Sequence, residues 1–282
     1  MELREQKLLD VVYHYEESEY NHVIASSNDP FLLEQLSPLR GNLVNWIPIQ
    51  EKDSVLEVSS GYGAVTAQLV SKTLQIDCID RRETANTINR ARLKKKLGDR
   101  GENLRLFTGT LFETTEGLQR KYDYILLLDI PVKNEEELEG YLRTAGKLLN
   151  TGGHIYFATD NKYGLKYWAG NRERFTHEFF AGLEGYVGHD GRVGFSRNQL
   201  MRCAKGAGFQ QIEFYYPYPD HVFPLQIFSD DRLPKKGELT NNMRNFGDDR
   251  MVIFDESRVF DNLIGDQMFP DFSNSYLIRV GG

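Results

Sequence analysis

The sequence predicts an α/β fold, with a mostly parallel sheet that carries helices on both faces. Short apolar runs without polar alternation recur between residues 54 and 158, and strands buried on both faces have this pattern. Segments with helical periodicity separate the runs, so strands and helices alternate along the chain. The predicted strands are 54–58, 74–79, 104–107, 124–128 and 154–158, and the predicted helices are 64–71, 83–96 and 135–149.

The sequence also predicts three segments. Residues 1–46 carry broken amphipathic stripes and form an N-terminal helical lid or cap, in which Asn28-Asp29-Pro30 makes a turn and a helix start. Residues 47–217 form the core, which includes a turn at Thr151-Gly152-Gly153 and a late helix with Ser196 as its N-cap. Residues 218–282 hold four of the nine prolines and form an extension that serves as a lid or an oligomer contact.

Bulk composition narrows the class of partner. The chain has 282 residues, a net charge of -7 and a pI near 5.5, which disfavours nucleic acid, and its basic run at 90–96 fits a solvated helix end. Two cysteines lack metal-ligand spacing, and the charged N-terminus has no signal-peptide core. No run is long and apolar enough to span a membrane. We therefore expect a cytoplasmic protein without a metal site, which could form a homo-oligomer.

The candidate cofactor site begins where the first predicted strand meets a glycine turn. An acid lies at the end of the next strand, and polar or small residues follow the third and fourth strands. The turn lets a ligand approach the backbone, and the acid accepts hydrogen bonds from ribose hydroxyls. These residues are Glu57, Ser59, Gly61, Tyr62, Gly63, Asp80, Arg81, Thr110, Leu111 and Asp129. The pattern predicts either a nicotinamide or flavin dinucleotide, or S-adenosylmethionine.

Four features favour S-adenosylmethionine. The third glycine of the dinucleotide pattern is Thr66 here, and the acid Glu57 precedes the turn. The run Leu-Leu-Asn-Thr-Gly-Gly at 148–153 resembles the "L-L-K-P-G-G" turn of class I methyltransferases, and 195–209 resembles their "F-S-x-x-E-L…A-G-F" helix. The resemblance implies a Rossmann-like class I methyltransferase sheet and S-adenosylmethionine as cofactor; a dehydrogenase is the remaining alternative.

The second half of the chain resembles a narrower group. Residues 159–170 are similar to the "E-N-K-x-G-L-K-Y-x-A-G" stretch of bacterial methyltransferases found among cell-surface polysaccharide enzymes. Further stretches similar to that group are 35–40, 215–220, 233–239 and 241–246. The chain departs from the group at Ser59, where the group has glycine, and at 129–133, where the group has "G-V-L-E-Y". The resemblance implies a saccharide or saccharide-precursor acceptor.

Methyl transfer to a hydroxyl is helped by a general base. The candidates are His189 and Asp190, in a loop before the late helix, and Asp160 at the end of the fifth strand, with Asp129 as a further acid. Tyr163, Tyr167 and Trp168 could stack on a sugar or on adenine. Other acceptors stay open: another small metabolite, RNA as a minor option, or no acceptor at all if the protein only binds the cofactor.

Overall fold

The computed structural model describes residues 2–98, 104–240 and 250–281. The chain divides into two compact units: unit 1 comprises Met1–Ile130 and Thr144–Ile155, and unit 2 comprises Pro131–Arg143 and Tyr156–Gly282. Each unit is described by itself below. Helix α8 and strand β5 contribute residues to both.

Unit 1 begins with a helical segment, as the sequence predicts. Its helices are α1 (Leu3–His14), α2 (Tyr20–Ser27), α3 (Pro30–Leu36) and α4 (Asn42–Asn45). The predicted start at Asp29 is confirmed: its side chain accepts a hydrogen bond from the backbone N–H of Phe31, and Pro30 occupies the first helical turn. Asn28 makes the preceding turn with a left-handed φ of 46°.

The remainder of unit 1 is a parallel sheet with helical connections. Its strands are β1 (Val55–Val58), β2 (Ile76–Asp80), β3 (Arg105–Thr108) and β4 (Tyr122–Leu127), in the order β3-β2-β1-β4, and β5 (Leu149–Asp160) is next to β4. The paired strands β1–β2, β1–β4 and β2–β3 are parallel. The connecting helices are α5 (Thr66–Leu69), α6 (Glu83–Leu97) and α7 (Leu111–Thr114). Val58 is in register with Ile79 and Leu127, so these strands end at one edge of the sheet.

Two sequence predictions in this region are wrong. The sequence predicts a helix after Gly63 that reaches about residue 71, but α5 covers only Thr66–Leu69 because i→i+3 hydrogen bonds such as Lys72 N–H to Leu69 O tighten its end. The predicted turn at 151–153 lies inside β5, where Gly152 adopts a φ of +76° and lets the strand continue.

Unit 2 combines antiparallel strands with helices. Helix α8 (Glu135–Lys147), the end of β5 and α9 (Leu165–Trp168) are followed by α10 (Arg197–Gly206), β6 (Ile212–Tyr218), β7 (Gln226–Ser229), α11 (Glu256–Gly265), α12 (Phe269–Phe272) and β8 (Ser275–Gly281). Strand β8 lies between β5 and β6, and β6 pairs antiparallel with both β8 and β7. The predicted N-cap is confirmed, because the Ser196 hydroxyl accepts from the backbone N–H of Gln199 and the Gln199 side chain accepts from the Ser196 N–H.

Candidate functional site

The glycine loop of unit 1 is a sharply turned backbone between β1 and α5. Ser59, Gly61 and Gly63 all have left-handed φ values, of 59°, 56° and 82°. Serine replaces the first glycine of the motif and still adopts the conformation that the turn requires, at a cost of about 1 kcal/mol. The turn therefore persists despite the change of residue.

The two glycines of the loop have different surroundings. A Cβ atom at Gly63 would lie 2.1 Å from Oδ1 of Asn89 on α6, so only glycine lets the loop approach that helix. A Cβ atom at Gly61 would meet no heavy atom within 4 Å among the described residues. The loop is thus packed on one side at Gly63 and open at Gly61, where a ligand can approach the backbone.

Asp80, the last residue of β2, is tied to the loop. Its Oδ2 accepts from the backbone N–H of Gly61 at 2.9 Å, and its Oδ1 accepts from the backbone N–H of Arg82 at 2.9 Å. The Arg82 guanidinium also reaches Oδ1, with Nε at 3.3 Å. Because a carboxylate offers about four acceptor positions, Asp80 keeps capacity for a ribose hydroxyl.

Glu57 lies inside the sheet, at the end of β1. It is buried, and its Oε2 accepts a 2.6 Å hydrogen bond from the Thr66 hydroxyl. Burial raises the pKa of Glu57 to about 7, although the hydrogen bond from Thr66 opposes the shift. Glu57 therefore ties β1 to α5 from within the core.

The other predicted cofactor residues follow the neighbouring strands. Thr110 caps α7 through a reciprocal pair of hydrogen bonds with Glu113, and Leu111 is fully buried behind it. Arg81 is exposed beside Asp80. Asp129 follows β4 and forms an ion pair with Arg40 of the N-terminal segment, with 2.9 Å between Oδ2 and Nη2. All ten predicted cofactor residues lie in unit 1, in β1 and the loop after it or at and after the carboxyl ends of β2, β3 and β4.

The sequence of this region matches a known family. Residues 56–155 match the family model described as a methyltransferase domain. The protein is an S-adenosylmethionine-dependent methyltransferase. Its cofactor is S-adenosylmethionine, which excludes the dehydrogenase alternative. No curated protein matches the chain significantly.

Solved structures support the fold of this methyltransferase. The chain is similar to an S-adenosylmethionine-dependent methyltransferase from Archaeoglobus fulgidus, with a TM-score of 0.51 and 14% identity over 86% of this chain and 93% of that one. It is also similar to a methyltransferase from Thermotoga maritima described as a possible histamine N-methyltransferase, with a TM-score of 0.48 and 16% identity over 93% and 97% of the two chains. The first likeness agrees with the predicted Rossmann-like sheet; the second is too distant to add to it.

In unit 2 the methyltransferase buries Asp160 in a charged cluster. Its Oδ1 accepts from Lys166 Nζ at 2.6 Å and from the Tyr167 hydroxyl at 3.3 Å, and Lys166 also reaches Asp220 at 3.4 Å. Burial opposes ionisation of Asp160, but the charges of Lys166, His221 and Arg174 outweigh it and hold its pKa below the ordinary range. A carboxylate with so low a pKa suits an ion pair better than proton abstraction.

His189 and Asp190 lie in a loop of unit 2. The Nε2 atom of His189 is 3.1 Å from Oε2 of Glu178, and Asp190 is exposed. If Nε2 carries the proton that Glu178 accepts, Nδ1 is left as the acceptor atom of the ring. Glu178 thus orients His189, and the sequence analysis missed it because eleven residues separate the two.

Aromatic side chains are exposed in the same unit. Tyr163 and Trp168, from the stretch at 159–170, are 39% and 48% exposed, whereas Tyr167 is buried. Unit 2 also has a cavity of about 380 Å³, which Gly170 at the end of this stretch helps to line. The other lining residues are Arg172, Phe179, Phe180, Arg250, Met251 and Ile253. The related stretch 241–246 lies outside the described residues.

Three cations of the basic run of α6 are engaged by the N-terminal segment, whereas Arg90 and Lys94 are exposed. Arg92 is buried and donates to the Gln35 carbonyl, Lys95 donates to the carbonyls of Tyr13 and Tyr15, and Lys96 pairs with Glu17. The run therefore holds the N-terminal segment. Within residues 2–98, 104–240 and 250–281, no helix is long and apolar enough to cross a membrane, and no group of three or more His, Cys, Asp or Glu could hold a metal ion.

Proposed function

We propose that this methyltransferase transfers a methyl group from S-adenosylmethionine to an oxygen atom of a saccharide or a surface-polysaccharide intermediate. Binding of the methyl donor is supported by the left-handed loop at Ser59, Gly61 and Gly63, to which Asp80 is hydrogen-bonded. The saccharide acceptor is supported by the similarity of residues 159–170 to polysaccharide methyltransferases.

In this proposal the donor binds along the edge of the sheet in unit 1. The open side of Gly61 and the remaining acceptor capacity of Asp80 fit the backbone contact and one ribose hydroxyl of an adenosine ligand. Arg81 and the residues Thr110 and Leu111 would flank the adenine, and Asp129 would lie near the methionine portion. Bound S-adenosylmethionine supplies a methyl group that its sulfonium has already activated, so the chain has to align the acceptor and remove its proton.

The acceptor would contact the stretch at 159–170, where Tyr163 and Trp168 are partly exposed and an aromatic ring can stack on a sugar. His189 is the base that the geometry favours. With Nε2 directed at Glu178, its Nδ1 would accept the hydroxyl proton of the acceptor, and the Glu178 carboxylate would stabilise the resulting imidazolium. Asp160, held by Lys166, would keep the end of β5 in place, and Asp190 is the second candidate for the base.

The first experiment incubates the protein with S-adenosylmethionine labelled in its methyl group and a panel of nucleotide sugars and oligosaccharides, with other small metabolites as a second panel. We expect label transfer to a saccharide, a loss of at least about a hundredfold in kcat for His189→Ala, and a smaller loss for Asp190→Asn. Transfer to a non-sugar metabolite alone would replace the saccharide proposal. Donor binding without transfer to either panel would favour a protein that only binds the cofactor, for which the rebuilt loop at 129–133 is the motivating feature.

Location and assembly complete the proposal. Cys78 and Cys203 are both buried and unpaired, which agrees with a reducing, cytoplasmic environment. The proposed division into a lid at 1–46, a cofactor-binding core at 47–217 and an extension at 218–282 remains a prediction, as does a homo-oligomer.

A further inference from the structure

We propose that Glu5, on the N-terminal helix α1, is a positioning residue of the donor site, which holds Tyr62 of the glycine loop and Arg82 beside Asp80. The proposal rests on the donor site proposed above. It makes the N-terminal segment a fixed part of that site, whereas the sequence analysis allows a lid that opens.

Glu5 makes a dense set of contacts for a residue so near the start of the chain. Its Oε1 accepts from the Tyr62 hydroxyl at 3.0 Å and from the Thr84 hydroxyl at 2.8 Å, and Arg82 Nη1 lies 3.9 Å away. Its Oε2 accepts from the backbone N–H of Glu2 at 3.1 Å. Burial opposes ionisation, but hydrogen bonds from Thr84, Glu2 and Tyr62 outweigh it, so the pKa of Glu5 is lowered. Glu5 is therefore a buried carboxylate that is charged at neutral pH.

The contacts continue from Glu5 to Asp80. The guanidinium of Arg82 lies 4.7 Å from the centre of the Tyr62 ring, and its Nη1 donates to the Tyr62 hydroxyl at 2.7 Å. The same guanidinium reaches Asp80 through Nε, as described above. An unbroken chain of polar contacts thus joins α1 to the acid that is expected to bind the ribose.

The position of Tyr62 explains why the loop needs this support. Tyr62 lies between Gly61 and Gly63, so it has a left-handed residue on each side, and free glycines have many other conformations. Its ring is buried and packs edge-to-face on Phe31, with 5.6 Å between centroids. With its ring and its hydroxyl both held, Tyr62 fixes a loop that would otherwise lose conformational entropy when the donor binds.

The segment that carries Glu5 is held by other contacts as well. An apolar cluster packs α1, α2 and α3 against Tyr62 and α6; it contains Leu8, Val11, Val12, Tyr20, Val23, Leu32, Leu36, Tyr62, Ala85 and Ile88. Lys96 pairs with Glu17 at 2.7 Å, away from the glycine loop. Removing the Glu5 carboxylate should therefore loosen the loop without releasing the segment.

Calorimetric titration with S-adenosylmethionine tests the proposal on the full chain and four variants. We expect Glu5→Ala to raise the Kd about tenfold, which corresponds to the loss of one charge-assisted hydrogen bond. Glu5→Gln should raise it about threefold or less, because the amide oxygen still accepts from Tyr62 and Thr84. Glu17→Gln is the matched control on the same segment and should leave the Kd unchanged. Val23→Ala should lower the unfolding midpoint without changing the Kd.

The outcomes separate this inference from the proposed donor site. Wild-type affinity in Glu5→Ala would overturn the role of Glu5 and leave the donor site intact. Equal losses in Glu5→Ala, Glu5→Gln and Val23→Ala would also overturn it, because packing alone would then explain the effect. No binding of S-adenosylmethionine by the wild-type chain would overturn the proposed donor site, and this inference with it.

Discussion

Replacing Glu57 by glutamine should remove a pH dependence of stability that the wild-type protein carries. The carboxyl is fully buried, and its pKa rises from an ordinary value of 4.5 to about 7. The folded state therefore binds the proton more tightly than the unfolded chain. The stabilisation is complete below about pH 4.5 and is lost as the pH rises through about 7. Between low pH and high pH, the contribution of Glu57 to the unfolding free energy changes by about 3 kcal/mol.

Glutamine is close in shape to a protonated glutamate and stays neutral, so the variant lacks this term. The unfolding free energy of Glu57→Gln, taken relative to that of the wild type, should rise by about 2.5 kcal/mol from pH 5 to pH 8. Urea unfolding of the ligand-free protein, followed by tryptophan fluorescence at several pH values, measures the gain. Glu113→Gln is the matched control, because Glu113 is exposed and its pKa is lowered by the Thr110 backbone. If the wild type and Glu57→Gln kept a constant difference from pH 5 to pH 8, the argument from burial would be refuted.

Substitutions at two further places test the glycine loop and the charged cluster around Asp160. Ser59→Gly should raise the unfolding free energy by about 0.5 kcal/mol, because the relief of left-handed strain exceeds the entropy that glycine adds to the unfolded chain. Ser59→Val should lower the unfolding free energy by about 2 kcal/mol. Equal effects of the two substitutions in urea unfolding would contradict the left-handed conformation. Lys166→Met should lower it by about 3–5 kcal/mol because it leaves Asp160 buried without its nearest countercharge, and adding Asp160→Asn should recover much of the loss. A double variant no more stable than the single one would show that Asp160 draws its stability from other partners.

The sheet and the glycine loop were predictable because their signals are local. A continuous apolar run followed by small residues indicates β1 and its turn, and Asp80 follows the next run at the expected interval. The partners of these residues were not predictable. Glu5 is 57 residues from Tyr62 and Arg40 is 89 residues from Asp129, and tertiary packing of the N-terminal segment within unit 1 brings each pair together. The turn predicted at Thr151-Gly152-Gly153 is wrong because glycine occurs both in turns and in distorted strands.

The cations of α6 have a consequence for the electric field around the protein. Arg92, Lys95 and Lys96 are engaged with carbonyls and a carboxylate of the N-terminal segment, while the whole chain carries a net charge of -7. At long range such a chain attracts cations. S-adenosylmethionine carries one net positive charge, and it loses that charge when it gives up its methyl group. We therefore expect electrostatic attraction to speed the encounter with S-adenosylmethionine but not with its demethylated product, and added salt to reduce this kinetic preference.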